Sequence, residues 1–480
     1  MQAVFPSLVG GTQIRTNKFL VGQTELVLAK NVSSEILGSW KSRDGIEQTG
    51  DTLETDKDIT GLFGDQNTDG KHLAVVNESG DSHAVLKWNN SGTWTNVGGA
   101  TSLPADADVN FVSFLDQTYM FGANSSNEYL TTATIDGTTY SGESSFPKAR
   151  YGIIYFDTLY LFDCEVGGVR YSNRGYYSSI PAYDSGWSIS FDTTTDYLSP
   201  STGDGDSITG VAESYGRLLV FKNYSIFTWD NYNLLPVDGI GCTSPKSIVE
   251  VDKKNIYFVH RSSRDQGMYI WDGTQATKMS RALDPFFNGS SGDSVGGFYQ
   301  NHVYEFIGDV TLDADIAEYY GLDASLTNVM IDYSVLDTLF TIHTLPYEIT
   351  SMAPLDNDLY MGASNGEVYK WDSGTSDNNN NIESEVTSHN FYGLSSAEFN
   401  LRKTFNKVIV NMHKPNVAKA FYSIDNGAWK SLGQLKEKVN VFSIAQKGYG
   451  IKIKVTSNFS DFIYEGYAID YDLETPLRSK

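Results

Sequence analysis

Cysteine is almost absent from this chain: Cys164 and Cys242 are the two among 480 residues. Two thiols build neither a disulfide framework nor a cysteine-based zinc centre, and they leave a single bridge between them open. Proline is sparse, at 12, and long runs of Ala, Leu, Glu and Lys are missing. That mixture disfavours helices and favours strands joined by glycine and Asx turns. No apolar run approaches the ~18 residues that a membrane helix needs. Even YGIIYFDTLYLF, residues 151–162, is cut by Asp157. The opening MQAVFPSLVGG has no basic stretch followed by a long apolar one, so no secretory signal is expected. Sequons such as Asn223-Tyr224-Ser225 then read as turn chemistry.

Positive charge is the other shortage. Lys and Arg number 35 against 59 Asp and Glu, a formal charge of −24. Gripping nucleic acid takes clustered Lys and Arg, so a DNA-holding role is disfavoured. The acidity suits solubility, and it also suits a surface along which DNA passes without sticking.

What the chain does contain is aromatic and glycine-rich: 30 Tyr, 25 Phe and 44 Gly, with 40% hydrophobic residues. This is a globular, β-rich composition. One phrase recurs within it. MYIWDGTQ begins at Met268, SIFTWDNYN at Ser225, EVYKWDSG at Glu367 and AVLKWNNSG at Ala84. Each is a short alternating strand that ends in Trp-Asp or Trp-Asn and runs into a turn. Around it lies a larger unit: strand, Asx turn, apolar strand, polar turn, strand ending near Trp. Residues 208–231, 247–273 and 348–374 show the unit most clearly, and weaker copies begin at 59, 109, 152 and 293. The seven starts are spaced by 39 to 56 residues, the length of one four-stranded propeller blade. The expected fold is therefore all-β: a β-propeller of six or seven blades followed by a small C-terminal β-sandwich. In such a ring the Trp packs between neighbouring blades and the Asp closes the next turn. WD-repeat proteins share the dipeptide, but their Gly-His partner signature is missing here.

Residues 1–50 read as an arm and hairpin able to supply the strand that closes the ring. Residues 51–374 read as the propeller, 375–382 (the SDNNNN stretch) as a linker, and 383–480 as the sandwich. Arg402, Lys403 and Lys407 make the sandwich locally less acidic than the ring. An irregular insertion at 309–326 is where the only helical turns are expected.

The order of these motifs resembles the β-propeller tail proteins of tailed bacteriophages, the tail nozzle and head-to-tail stabilisation (hub) proteins. AKNVSSEILGSWKSRDGI, from Ala29, resembles that family's opening Asn-Val, Gly, Arg-x-Gly phrase, with Asp44 where proline is commoner. DGDSITGVAESYGRLLVFKNYSIFTWD and GCTSPKSIVEVDKKNIYFVHRSSRDQGMYIWDG resemble its central blades. LYMGASNGEVYKWDSG, SHNFYGLSSAEFNLRKTFNKVIV and YSIDNGAWKSLG resemble its last blade and sandwich. Segments 138–150, 177–207 and 309–341 depart from the pattern. The resemblance implies a structural protein of the virion tail, made in the host bacterial cytoplasm. It would form a homo-oligomeric ring of about six copies beneath the portal or adaptor ring, beside other tail proteins, and line the DNA-exit channel. Genomic DNA would pass without sequence-specific binding, and a negative lumen would repel it only at short range, because salt screens beyond roughly 8–10 Å.

Catalytic chemistry finds little to stand on. GDSVG, residues 292–296, spells Gly-x-Ser-x-Gly around Ser294, but that elbow needs a strand-to-helix turn in an α/β sheet. SIDNGAW, residues 423–429, resembles a sialidase Asp-box with its tryptophan one residue early, and a hairpin turn under Trp429 accounts for it. DQNTDGKHL begins at Asp65. There Asp65, Asn67 and Asp69 have the spacing of the first half of a calcium loop, but the ninth and twelfth positions fall on Leu73 and Val76. Calcium is the one cofactor this spacing admits. The seven histidines, at 72, 83, 260, 302, 343, 389 and 413, show neither HExxH nor paired spacing. No enzyme is expected. The rival readings are a receptor- or glycan-binding propeller at the tail periphery, which would repeat one sugar-contact motif in every blade, and a propeller glycosidase or lyase, which would need converging acids.

Overall fold

Three of the four recurring Trp phrases close a strand on their own chemistry. Trp229 ends the strand Ile226–Trp229, and the Asp230 carboxylate accepts the N–H groups of Tyr232 and Asn233 at 3.0 and 2.7 Å. Asp272, after Trp271, accepts those of Thr274 and Gln275 at 2.9 and 3.0 Å, and Asn89, after Trp88, that of Gly92 at 3.1 Å. Short polar side chains that bond forward in this way stop a strand and reverse it. Trp271 is buried with Phe221 and Phe258, and Trp371 lies 5.3 Å from the ring of Tyr304. Both indoles thus fill the seam between successive sheets, and aromatic side chains of this size bury about 150–250 Å² each.

These units are set out in a computed structural model that describes residues 1–5, 10–14, 25–34, 38–65, 71–77, 83–90, 92–98, 103–136, 139–181, 188–200, 203, 205–414 and 416–474. The described residues form a seven-bladed propeller. The innermost strands of blades 1 to 7 are Ile59–Asp65, Asp108–Phe114, Lys148–Tyr155, Ile208–Ser214, Val249–Val251, Val295–Tyr299 and Ile349–Leu355. Each pairs antiparallel with the next strand of its own sheet, and each touches the innermost strands on either side. The innermost strand of blade 7 packs on that of blade 1, so the ring is closed.

The outer strand of blade 7 comes from the other end of the sequence. Ile46–Gln48 pairs antiparallel with Val368–Trp371, in register Ile46 to Trp371. Next to this strand Arg43 is 3% exposed and forks onto Asp377, Nη1 to Oδ1 at 2.7 Å and Nη2 to Oδ2 at 2.6 Å. Its Nε donates to Asn31 Oδ1 at 3.2 Å, its Nη groups to the carbonyls of Asp44 and Thr344 at 2.9 and 3.2 Å, and it stacks 5.2 Å over Trp371. Residues 375–382 join propeller to sandwich, but they are not a loose tether. Asp377 and Ile382 are buried, and Asp377 bridges to Ile46.

The sandwich is not hung separately either. The strand Leu26–Lys30 pairs with Ser384–Ser388 of the sandwich on one edge and meets Leu339–Thr344 of blade 6 on the other. One nine-stranded sheet therefore runs from the innermost strand of blade 6 to the sandwich strand Lys430–Gln434. The facing sheet of the sandwich is built on Lys403–Met412 and Ile463–Leu473, with Gln2–Phe5 and Trp40–Ser42 of the arm paired to the latter.

Helix is not confined to the insertion. Helix α1 (Asp284–Gly289) lies outside it, between blades 5 and 6, where Pro at its first turn and buried Phe286 and Phe287 set it against the core. Helix α2 (Ala314–Tyr320) lies inside the insertion. Asp313 caps it by accepting the N–H groups of Asp315 and Ile316, and Gly321 ends it at φ +67. Its C-terminal carbonyls receive Lys452 of the sandwich, 3.0 Å from Tyr320 O. The Trp429 indole N–H donates to Gly321 O at 3.3 Å, so the tryptophan of the SIDNGAW phrase seats the sandwich on α2.

Gly366 shows how tightly the chain just after the arm is laid down on blade 7. It turns between the second and third strands of blade 7 at φ +79, and an added Cβ would overlap the Glu54 carbonyl oxygen. Gly366→Ala is expected to cost roughly 3 kcal/mol in chemical denaturation. Gly216→Ala, at φ +68 with open space around it, should cost nearer ~1 kcal/mol. Equal losses would count against close seating of the segment around Glu54.

Buried histidines are expected to make the protein sensitive to acid. His389, whose ring bonds Gln13 O at 2.9 Å at the arm–sandwich junction, is pushed down by burial to about 4, and burial does the same to His72. A histidine with a depressed pKa binds its proton more readily unfolded, so this contribution is full above ~6.5 and is lost as pH falls toward 4. The loss should be on the order of 3 kcal/mol for each. Asp332 lies against the opposite trend. Burial alone would raise it, but hydrogen bonds from His302 at 2.6 Å and His343 at 3.2 Å hold it at about 2, so its share survives into strong acid. Melts between pH ~7 and ~4 should fall steeply, and less steeply in His389→Gln and His72→Gln. A flat profile would contradict the assignment.

Candidate functional site

Asp65 ends the innermost strand of blade 1, with its side chain outside the described residues, as are Asn67 and Asp69 entirely. Among the described residues no group of three or more His, Cys, Asp and Glu is placed to hold a metal ion. Ser294 is fully buried at the start of blade 6, and its hydroxyl accepts from Arg261 Nη2 at 3.0 Å. In Ser423–Trp429, Ser423 donates to Gly427 O at 2.6 Å, and Asp425 accepts the N–H groups of Tyr449 and Gly450, both at 2.8 Å. That is hairpin chemistry. Cys164 and Cys242 are separate, buried and free. His302 and His343, unrelated in sequence spacing, meet on Asp332 because adjacent strands of blade 6 bring them together.

A polar concavity lies among the innermost strands, about the propeller axis. Its volume is about 590 Å³, and residues of the innermost strands of six blades line it. The entrance is built by the residues that precede or open those strands: Asp58 in blade 1, Asp106 and Asp108 in blade 2, Asp293 in blade 6 and Glu348 in blade 7. Because each blade starts at the same mouth, acids at one repeat position converge although they are far apart in the chain. The carboxylates feel one another. Asp58 is raised by burial and then by Asp106, with Lys246 and Lys57 pulling the other way, and Glu348 is raised by burial and by Asp58 and Asp309. Deeper in, Phe63 and Phe111 stack with centroids 5.4 Å apart, and Tyr151 stands beside them. Burial pushes the Tyr151 hydroxyl up, so it stays neutral.

One cation enters this mouth from within the chain. Lys246 sits in a 3-10 turn, Pro245–Ser247, braced by Ser247 Oγ donating to Ser244 O at 2.7 Å. Its ammonium donates to the carbonyls of Thr60 at 3.1 Å and Thr350 at 3.0 Å and pairs with Asp108 Oδ1 at 2.8 Å. Thr60 and Thr350 are bulged: the register of the innermost pair shifts between Ile59 and Gly61, and between Ile349 and Ser351. A bulge re-aims a backbone carbonyl that the ladder would otherwise consume. The same shift occurs between Ile208 and Gly210. The sequence carries this as Ile-Thr-Gly at 59–61 and 208–210 and Ile-Thr-Ser at 349–351. That short repeat was the available signal for the axial site, and the Trp-Asp phrase overshadowed it.

Behind the wall lies an unusual acid. Glu305 is fully buried, neither carboxylate oxygen has a hydrogen-bond partner, and burial pushes its pKa well up against the pull of Arg261. It lies over Gly296, where an added Cβ would crowd both the Glu305 carboxyl and Val249 of blade 5.

No protein-family model and no curated protein matches the sequence. Similar solved structures are propellers. They include YCF48 bound to D1 peptide (10% identity, 68% of this chain and 95% of that one, TM-score 0.41). Others are BamB from Moraxella catarrhalis (11%, 77% and 97%, TM-score 0.38) and the Neurospora crassa Pan2 WD40 domain (8%, 69% and 95%, TM-score 0.42). At these scores the blade count rests on the strand pairing of this chain itself.

Proposed function

We propose that the chain is a structural component of a bacteriophage tail, a nozzle or hub subunit that assembles into a ring along the DNA-exit channel. The observation that carries the reading is the single sheet running from blade 6 into the sandwich, locked by the arm. A subunit that must hold its place while DNA passes benefits from domains that cannot hinge apart. Charge supports the same reading. Residues 1–382 carry 22 Lys and Arg against 49 Asp and Glu, whereas 383–480 carry 13 against 10. Unlike ends favour head-to-tail contacts, the kind that close into rings, and the acidic part suits a lumen that releases DNA. The motif order shared with phage tail proteins supplies the biological setting, including portal or adaptor neighbours. In this role the chain has no catalytic task.

Cryo-electron microscopy of virions that contain this chain tests the reading. A symmetric ring coaxial with the DNA exit is the expected result. Copies confined to the tail periphery would favour receptor or glycan binding instead. Absence from particles, or glycan hydrolysis by the purified protein, would overturn the proposal.

A further inference from the structure

We infer that the axial mouth of the propeller is a docking socket for a basic side chain, lysine or arginine, presented by a partner polypeptide. The inference is independent of the tail assignment. It stands on a cavity of about 590 Å³ whose lining differs in chemistry between the starts of the innermost strands and their middles. Carboxylates of Asp58, Asp106, Asp108, Asp293 and Glu348 surround the entrance, and Phe63, Phe111 and Tyr151 lie below. An acidic collar over aromatic faces suits a cation on an alkyl stem: the charge meets carboxylates while the methylenes and the π faces meet each other. Neither an anion nor a plain apolar ligand would satisfy both layers.

Lys246 demonstrates the chemistry. Its ammonium already occupies two bulged carbonyls, Thr60 O and Thr350 O, together with Asp108. One ammonium leaves the mouth still in excess of negative charge, since five carboxylates share the lining with Lys246, and Asp106 raises Asp58 while Asp58 raises Glu348. The carboxylates are too dispersed for a metal centre, since no group of three is placed to hold one among the described residues. A dispersed collar fits a guanidinium or ammonium, which accepts partners over a wider span than a small ion. Lys246 therefore acts as a resident competitor that sets how tightly an incoming cation binds.

Fluorescence anisotropy of a labelled penta-lysine peptide with the full chain provides the test, read in wild type and three variants. Asp58→Asn with Glu348→Gln removes two charges at the mouth, and binding should weaken about tenfold. Asp116→Asn with Asp157→Asn removes the same charge from exposed turns at the opposite ends of the innermost strands, and binding should stay as in wild type. Lys246→Met vacates the two carbonyls and Asp108, and binding should tighten several-fold, with thermal melts confirming that each variant is folded. Equal weakening by the two acid-removing pairs would mean general attraction to an acidic surface and would overturn the socket. So would unchanged binding in Lys246→Met, or displacement of the peptide by millimolar calcium, which would assign the mouth to a metal.

Discussion

Arg43→Ala is expected to lower unfolding free energy by roughly 3–5 kcal/mol, the range for breaking a buried ion pair by removing one partner. Truncation leaves the Asp377 carboxylate, 5% exposed, without the guanidinium that neutralises it, and leaves Asn31 and the Asp44 and Thr344 carbonyls short of donors. The loss is not confined to one contact, because Arg43 sits where the arm, blade 7 and the 375–382 segment cross. Arg43→Lys should recover little, since a single ammonium cannot serve both oxygens of Asp377 and three further acceptors. Arg43→Met combined with Asp377→Leu should recover much of the stability, because the desolvation cost of both charges disappears together. Urea denaturation of the four proteins decides it. A loss below ~1 kcal/mol in Arg43→Ala would mean that the closing strand holds without this pair.

The second large effect is expected at Asp163, on the second strand of blade 3. Its carboxylate is 1% exposed and accepts from Tyr129 at 2.8 Å, Arg150 Nε at 3.2 Å, and Arg170 Nε and Nη2 at 3.0 and 2.9 Å. Tyr129 belongs to blade 2, and Arg150 also donates to Asn124 O and Asn127 of that blade at 3.1 and 3.0 Å. Asp163 thus pins two blades together. Asp163→Ala should cost about 3–5 kcal/mol, mostly through Arg150, which is 13% exposed, because Arg170 at 36% is screened by water. Asp163→Asn should cost less. It keeps the acceptor oxygen and tolerates the local φ of +47, at a β-bulge between Phe162 and Cys164. Hydrogen exchange should show the Asp163→Ala loss first in blades 2 and 3. Exchange that rises evenly around the ring would contradict a local pin.

Much of the ring was legible without coordinates. Expected blade starts at 59, 109, 152, 208, 247, 293 and 348 lie within four residues of the innermost strands, which begin at 59, 108, 148, 208, 249, 295 and 349. The reason is local. Period-2 alternation marks a strand, and an Asx residue that bonds its own following backbone marks where the strand must stop. The acid excess was equally plain, as it needs only counting.

What the tertiary structure alone decided is which strand edges meet. Ile46–Gln48 completes a blade whose other strands begin some 300 residues later, and Leu26–Lys30 welds blade 6 to the sandwich. Alternation says that a segment is a strand but not whose edge it joins, because every open edge offers the same backbone donors and acceptors. The axial mouth escaped for the same reason. Asp58, Asp108 and Glu348 stand at the starts of three blades and Lys246 just before a fourth, and only radial closure carries them to one axis. Arg43 and Asp377, 334 positions apart, became a pair because the fold buries both where the arm, blade 7 and the 375–382 segment cross, and a buried charge needs a partner.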